Sequence, residues 1–276
     1  MLPIAIQLYS IRKEVEADFR GTMEKIKEMG YEGVEPAGFA PLSVAEAKQI
    51  LDEVGLEMVS AHFSRVDLRN KELLKEYKEA GLQYAVLASL RDRTPEEGVV
   101  MIREMAENCK ELGMKLMYHN HDFEFELTKE GGYILDKYYD EIPADLLLPE
   151  IDTCWVSVAG VDPIEYIKKY SGRQEVVHLK DYVGSKSANM YGLIGENDGD
   201  KKADASKFEL RPVGYGKQDV AGIIKASEEA GAKWIVVEQD DPSMGKSPME
   251  CAQMSIDYIK SLIFNRNEGK ETWEIL

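Results

Sequence analysis

The four histidines of the chain occupy positions where imidazoles could act together as metal ligands or as acid–base groups. Each lies at or just beyond the end of a segment with strand-like composition: His62, His119, His121 and His178. Three carboxylates occupy comparable positions: Glu150, Asp152 and Glu238. In a barrel of parallel strands such ends converge on one rim, where nitrogen and oxygen ligands can share a divalent cation. The pattern indicates a metal-dependent enzyme, provided that a barrel forms.

Spacing within these segments predicts which side chains share a face. Because side chains alternate along a strand, Glu150 and Asp152 point the same way, as do His178 and Lys180. Ionised groups cannot be buried in a barrel without partners. Coordination of one cation would satisfy Asp152, His178, Glu238 and a further carboxylate. Mixed oxygen and imidazole ligands suit Mn²⁺, Co²⁺, Mg²⁺, Fe²⁺ or Zn²⁺, and the sequence does not choose among them.

A recurring strand–helix order predicts the elements that would position these residues. Glycine follows a glutamate and an apolar residue at the end of five helical patterns, where it can adopt positive φ: Gly30, Gly55, Gly81, Gly113 and Gly231. Eight short apolar segments have the composition of buried parallel strands. They are Ile4–Ser10, Tyr31–Glu35, Glu57–Phe63, Tyr84–Ser89, Lys115–His119, Leu146–Asp152, Val176–Lys180 and Trp234–Glu238.

This order predicts one α/β domain over residues 1–276, a (β/α)₈ TIM barrel. An open doubly wound sheet is the alternative, but no Gly-x-Gly-x-x-Gly motif follows the first strand. A polar, glycine-containing stretch over residues 183–208, after the seventh strand, is longer than a typical loop between strand and helix. We expect it to be either a lid over the site or a surface excursion.

Composition limits the partners and the compartment. A net charge of −17 and a pI near 4.8 argue against nucleic acid or an anionic membrane as a partner. The cysteines Cys109, Cys154 and Cys251 form no CxxC pair and suit a reducing cytosol. The chain starts with a strand pattern rather than a signal peptide, and no stretch approaches the ~20 apolar residues that span a bilayer. We therefore expect a cytoplasmic protein.

Five segments resemble the sugar phosphate isomerase/epimerase family of xylose isomerase-like barrels. They are residues 7–10 (QLYS), 118–125 (YHNHDFEF), 150–156 (EIDTCWV), 172–173 with 178–181 (GR and HLKD), and 212–216 (PVGYG). Together they run through almost the whole chain, and the histidine-rich and HLKD segments are the specific ones. The resemblance implies a TIM barrel that holds one divalent metal with Glu, Asp, His and Glu from its last four strands.

By that resemblance, Asp152, His178 and Glu238 match three of the four ligands. The chain departs from the family at the fifth strand, where His119 stands in place of the glutamate. The fourth ligand could be His119, Glu124 just beyond the strand, or Glu150 on the next strand. Glu124 is favoured because it keeps an anion in the ligand set. Glu150 precedes Asp152 by two residues and should lie deeper in the barrel.

The implied chemistry is proton transfer at a carbon next to a sugar carbonyl, through an enediolate that the metal stabilises. We expect a sugar isomerase or epimerase. The alternatives are a dehydratase or lyase acting on a keto-sugar or inosose, and a non-catalytic sugar-binding subunit. Related metal-dependent endonucleases are disfavoured, because they need a basic face and the charge here is −17.

Each candidate residue has an expected role. The base is His121 or Glu150, His62 binds or protonates a substrate oxygen, and Lys180 stabilises an oxyanion. The expected sugar contacts are Asn120, Trp155 and His119. No basic phosphate-binding motif is evident, so an unphosphorylated sugar or polyol is a candidate substrate. Barrels of this type often pair through their outer helices, which makes a homo-oligomer one expectation.

Overall fold

A computed structural model describes residues 2–39, 41–187, 190 and 207–267 of the chain. Its main sheet is a nearly closed barrel of nine parallel strands: β1 (Ile4–Gln7), β2 (Gly33–Glu35), β3 (Glu57–Met58), β4 (Ala61–Phe63), β5 (Tyr84–Leu87), β6 (Lys115–His119), β7 (Leu147–Asp152), β8 (Val176–Leu179) and β11 (Trp234–Val237). Their order around the barrel is β3-β2-β1-β11-β8-β7-β6-β5-β4. The predicted TIM barrel is confirmed.

Two predicted strands differ in their bounds. The first ends at Gln7 because its side chain accepts the Tyr9 N–H at 3.0 Å and starts a 3₁₀ turn, Leu8–Ile11. The third is divided into β3, which pairs with β2, and β4, which pairs with β5. The two halves together count as one barrel strand, so the barrel has the eight strands that the sequence predicts.

Helices alternate with the barrel strands. They are α1 (Arg12–Ala17), α2 (Phe19–Met29), α3 (Val44–Val54), α4 (Lys71–Glu79), α5 (Pro95–Glu111), α6 (Ile134–Glu141), α7 (Thr153–Val158), α8 (Pro163–Lys169), α9 (Val220–Ala230) and α10 (Pro248–Asn267). All five glycines predicted to end helices have positive φ. Ser43 and Thr94 form capping boxes at the starts of α3 and α5. Within the described residues, no helix has the length and apolarity needed to cross a membrane.

The barrel interior has an apolar layer beneath a polar one. The apolar layer consists of Ala5, Val59, Val86, Met117, Leu148, Val176 and Val236. Two residues further along five of these strands stand Gln7, His119, Glu150, His178 and Glu238, all buried. Residues of the opposite face, such as Ile151 and Leu179, belong to the larger core that includes the helices. The alternation of side chains along each strand therefore brings the predicted site residues to one end of the barrel.

A two-stranded antiparallel sheet interrupts the alternation after the seventh barrel strand. It pairs β9 (Asp181–Val183) with β10 (Glu209–Arg211). Most of the stretch predicted as a lid, 188–189 and 191–206, lies outside the described residues. The Asp181 carboxylate accepts the backbone N–H groups of Gly214, Gly216 and Gln218 at 2.9–3.1 Å. A single buried carboxylate thus fixes the loop that precedes α9.

We expect Asp181→Ala to lower the free energy of unfolding by about 2–4 kcal/mol, because it leaves several backbone donors without their acceptor. Asp219→Ala is the matched control. Asp219 is exposed and accepts one N–H, from Gly222, at the start of α9, so its loss should cost about 1 kcal/mol. Urea denaturation of both variants measures the two free energies of unfolding. Equal decreases would contradict the role of Asp181 in fixing the loop that precedes α9.

Candidate active site

Glu35 forms the floor of the polar cluster at the barrel end. It closes β2 and is fully buried. Its Oε2 lies 2.8 Å from Gln7 Nε2, 2.6 Å from His178 Nε2 and 3.2 Å from His62 Nε2. Its other oxygen accepts the hydroxyl of Ser60. Glu35 is not among the site residues predicted from the sequence, although it ends a predicted strand as Asp152 does.

Glu150 connects three of the four imidazoles. Its Oε2 lies 3.0 Å from His62 Nε2, 3.1 Å from His119 Nδ1 and 3.3 Å from His178 Nε2. Burial and the nearby Glu35 raise the pKa of Glu150 to about 7. Burial alone would lower the pKa of His62, but the two carboxylates raise it to about 10. Glu150 lies one layer below Asp152, at the depth that the sequence predicts.

Lys180 lies among three carboxylates nearer the rim. Its Nζ is 3.2 Å from Asp152 Oδ2, 2.8 Å from Glu238 Oε2 and 3.1 Å from Asp240 Oδ2. Burial would lower the pKa of Lys180, yet these carboxylates hold it well above its ordinary value. The expected oxyanion role of Lys180 stays a prediction, and its ammonium group already has three anionic neighbours. Asp240, two residues after Glu238 and beyond the end of β11, was not selected from the sequence.

Among the described residues, two groups of four side chains could each hold a metal ion. In each group, one possible ligand atom per residue lies within 4.8 Å of the others. One group is His119, Asp152, His178 and Glu238, and the other is His62, His119, Glu150 and His178. In the first group Asp152 Oδ2 and His178 Nε2 are buried, and their neighbours are ionisable groups: Lys180 Nζ lies 3.2 Å from the former and Glu35 Oε2 lies 2.6 Å from the latter. Two imidazoles and two carboxylates are donors that divalent cations accept, so the donor set fits one.

Glu124, the favoured fourth ligand, lies outside both groups. Its Oε1 accepts the hydroxyl of Tyr118 at 2.6 Å and its Oε2 accepts the backbone N–H of His121 at 2.7 Å. Tyr118 belongs to the outer core, on the opposite face of β6 from His119. Burial raises the pKa of Glu124 to about 8. Of the three alternatives for the fourth position, the described geometry favours His119, whose Nε2 is 3.7 Å from Asp152 Oδ2.

Two buried rings beyond the ligand groups carry unpartnered nitrogens. The His121 ring stacks on Phe123 with centroids 5.1 Å apart, and it lies 5.5 Å from the Trp155 ring. His121 Nδ1 and Trp155 Nε1 have no hydrogen-bond partner within the described part of the chain. By contrast, Asn120 Oδ1 accepts the Asp152 N–H at 3.0 Å. His121 and Trp155 are therefore better placed than Asn120 to meet substrate hydroxyls.

Residues from the stretch after β9 cover this part of the site. The Phe208 ring stacks on Trp155 at 6.0 Å, and Met190 belongs to the same apolar cluster. Lys186 Nζ lies 2.5 Å from Asp122 Oδ2, which joins the stretch to the loop carrying His121. The described ends of the stretch predicted to be either a lid or a surface excursion therefore contact the candidate site directly.

Comparison with known proteins relates this geometry to a family. The sequence model of the xylose isomerase-like TIM barrel family matches residues 23–262. An inosose dehydratase from Geobacillus kaustophilus is 24% identical, covering 87% of this chain and 86% of that protein. A sugar phosphate isomerase/epimerase from Parabacteroides distasonis has a similar structure, with a TM-score of 0.74, 20% identity and 94% of both chains covered. A structure of the IolI protein with a zinc atom bound aligns with a TM-score of 0.69 at 14% identity, over 95% of this chain and 98% of that one.

We expect the purified protein to contain about one divalent ion per chain, held by the first ligand group. Asp152→Asn, Glu238→Gln and His119→Gln should each lower that content at least about tenfold, because each removes a ligand. Glu124→Gln is the matched control and should retain the wild-type content. Plasma mass spectrometry on protein purified without chelator measures it, with circular dichroism to verify folding. Loss of metal in Glu124→Gln but not in His119→Gln would restore Glu124 as the fourth ligand.

Proposed function

Because the chain belongs to the xylose isomerase-like TIM barrel family, we propose that it is a metal-dependent dehydratase of a cyclic keto-polyol, the class that includes inososes. The observation that carries the proposal is similarity to inosose dehydratases over most of both chains, 86–90% of two of those relatives. The ligand group at the barrel end supports it. Relatives of both kinds, dehydratases and isomerases, are enzymes of small sugars or polyols.

The charge of the site favours a neutral substrate. Five carboxylates are buried at the barrel end: Glu35, Glu150, Asp152, Glu238 and Asp240. The ammonium of Lys180 is shared among three of them. The imidazoles of His62 and His178 are likewise held by these carboxylates, so a phosphate ester would need further cations of its own. An uncharged polyol needs only hydrogen bonds, which His121 Nδ1 and Trp155 Nε1, both without a partner among the described residues, can supply.

A divalent cation held by Asp152, His178, Glu238 and His119 would supply Lewis-acid polarisation of the substrate ketone. The protein must then take a proton from the carbon next to the ketone and return one to the hydroxyl that leaves from the next carbon. Breaking that C–O bond releases water and leaves an unsaturated ketone. The dehydration therefore needs one group that accepts a proton and one that donates it.

We assign the proton-accepting role to His121 rather than Glu150. His121 lies outside both ligand groups, and its Nδ1 has no partner among the described residues. Glu150 already holds the rings of His62 and His119 and belongs to one of the groups. His62 is the candidate proton donor. Glu35 and Glu150 hold its Nε2, and 14% of its side chain remains exposed.

An isomerase or epimerase, the function that the sequence analysis put first, is the second candidate. The similar structure from Parabacteroides distasonis bears that description, although a likeness at 20% identity speaks for the fold alone. Both reactions begin with the same proton removal and differ in the fate of the neighbouring hydroxyl. They are therefore separable by product.

Incubation in D₂O with an inosose, an open-chain ketose and a ketose phosphate tests the proposal. We expect the inosose to lose one water molecule, which mass spectrometry measures. The phosphate ester should react little, because the carboxylates of the site repel it. Deuterium uptake without water loss would replace the dehydratase with an isomerase or epimerase. If metal-loaded protein neither exchanges protons nor loses water with any of the three, a binding subunit becomes the better hypothesis.

His121→Gln should lower the rate of deuterium exchange into the substrate by about 100-fold or more, because it removes the proton acceptor. Its metal content should remain that of the wild type, since His121 lies outside the ligand groups. Glu150→Gln is the comparison variant. If that change abolishes exchange at full metal content while His121→Gln retains it, the base is Glu150.

A further inference from the structure

We propose that Glu124 is a positioning residue that fixes His121 in the site by holding its backbone N–H. This inference rests on the proposed function only for the role of His121 in proton transfer. The hydrogen bond itself, from His121 N–H to Glu124 Oε2 at 2.7 Å, is a feature of the described structure. This hydrogen bond gives Glu124 a structural role that does not involve metal binding.

The contact has the three-residue spacing that capping glutamates use at helix starts. Glu46 and Glu97 each accept the N–H of the N-cap residue three positions earlier, Ser43 and Thr94, at 2.9 Å. Glu124 also accepts the N–H of the residue three positions before it, but His121 lies one residue ahead of Asp122, the N-cap of the short 3₁₀ helix Phe123–Phe125. A second difference is burial, since Glu46 and Glu97 are exposed and Glu124 is only 2% exposed.

Burial makes the contact a determinant of loop shape. At the surface, water can replace a lost acceptor, whereas a buried N–H without a partner forces the backbone to move. The second oxygen of Glu124 is fixed by the hydroxyl of Tyr118, whose ring packs 5.2 Å from that of Tyr138. The rigid outer face of β6 is thereby connected through Glu124 to the backbone of His121.

Within the described part of the chain, no hydrogen bond holds Nδ1 of the His121 ring. The ring is oriented by stacking on Phe123 and by its own backbone. Catalytic groups need placement to a fraction of an ångström, and misplacement by about 1 Å can lower a rate about 100-fold. A residue that fixes the backbone of His121 should therefore affect turnover without touching substrate.

Glutamine is a suitable conservative replacement for Glu124. Its amide oxygen can accept the His121 N–H, while its NH₂ group can donate to the Tyr118 oxygen. Burial also raises the pKa of Glu124 to about 8, so a neutral side chain of the same shape resembles its protonated form. Alanine removes both contacts. Tyr118→Phe removes only the contact that does not involve His121.

The test compares Glu124→Ala, Glu124→Gln and Tyr118→Phe as metal-loaded full-length protein, alone and with His121→Gln. Two readouts are used: kcat and KM on the inosose, and deuterium uptake by the backbone of residues 119–125. We expect Glu124→Ala to lower kcat about 10- to 100-fold with little change in KM. Uptake at His121 should rise, metal content should stay unchanged, and Glu124→Gln should restore both readouts. Tyr118→Phe keeps the hydrogen bond to His121 but frees the second oxygen of Glu124, so it should lower kcat less than Glu124→Ala does.

The double variant separates positioning from a general structural role. If Glu124 acts through His121, adding Glu124→Ala to His121→Gln should lower kcat no further. A full additional loss, or unchanged kcat and uptake in Glu124→Ala, would overturn the proposal. If Glu124→Ala does not fold, Glu124→Asp takes its place, since its shorter side chain withdraws the carboxylate from the His121 N–H. If the wild type turns over no substrate, the proposed function fails while the uptake comparison still decides whether Glu124 holds the loop.

Discussion

Buried charges need partners, and this need determines how the side chains are arranged at the carboxyl end of the barrel strands. Glu35, Glu150, Asp152, Glu238 and Asp240 are each no more than 5% exposed. Carboxylates cannot remain ionised at such positions without cations or hydrogen-bond donors. Lys180 and the imidazoles of His62 and His178 meet part of that need, and the nearby carboxylates raise the pKa of each of these three groups above its ordinary value. The donor atoms that converge in the first ligand group, such as Asp152 Oδ2, mark where a cation would fit.

The barrel creates this cluster through the two-residue repeat of its strands. Val176 lies below His178 and Val236 below Glu238, so each polar side chain stands on an apolar one. The apolar layer excludes water from beneath the site and strengthens each ionic contact above it. The ionisable side chains that could bind a metal or transfer protons are therefore gathered at one end of the barrel, which is where other proteins of this architecture have their active sites.

Strand periodicity and helix-end signals made the fold and part of the site predictable. The shared faces of Glu150 with Asp152, and of His178 with Lys180, follow from counting residues, and the contacts agree. Applying the same count to every acidic strand end would also have selected Glu35. Glu124 was beyond such reasoning, because it follows β6 by five residues. A 3₁₀ turn, which spacing does not reveal, directs its side chain to Tyr118 instead of the barrel interior.

A ligand set with His119 in place of a carboxylate would change the chemistry of a bound cation. Two imidazoles and two carboxylates carry one negative charge fewer than the Glu, Asp, His and Glu set of the family that the sequence resembles. Less donated charge leaves the cation a stronger Lewis acid, and two nitrogen ligands favour Zn²⁺, Co²⁺ or Fe²⁺ over Mg²⁺. The ammonium group of Lys180 lies close to both Asp152 and Glu238, so it further reduces the negative charge that these ligands would offer a cation. Both features favour strong polarisation of a ketone, which the loss of a β-hydroxyl requires.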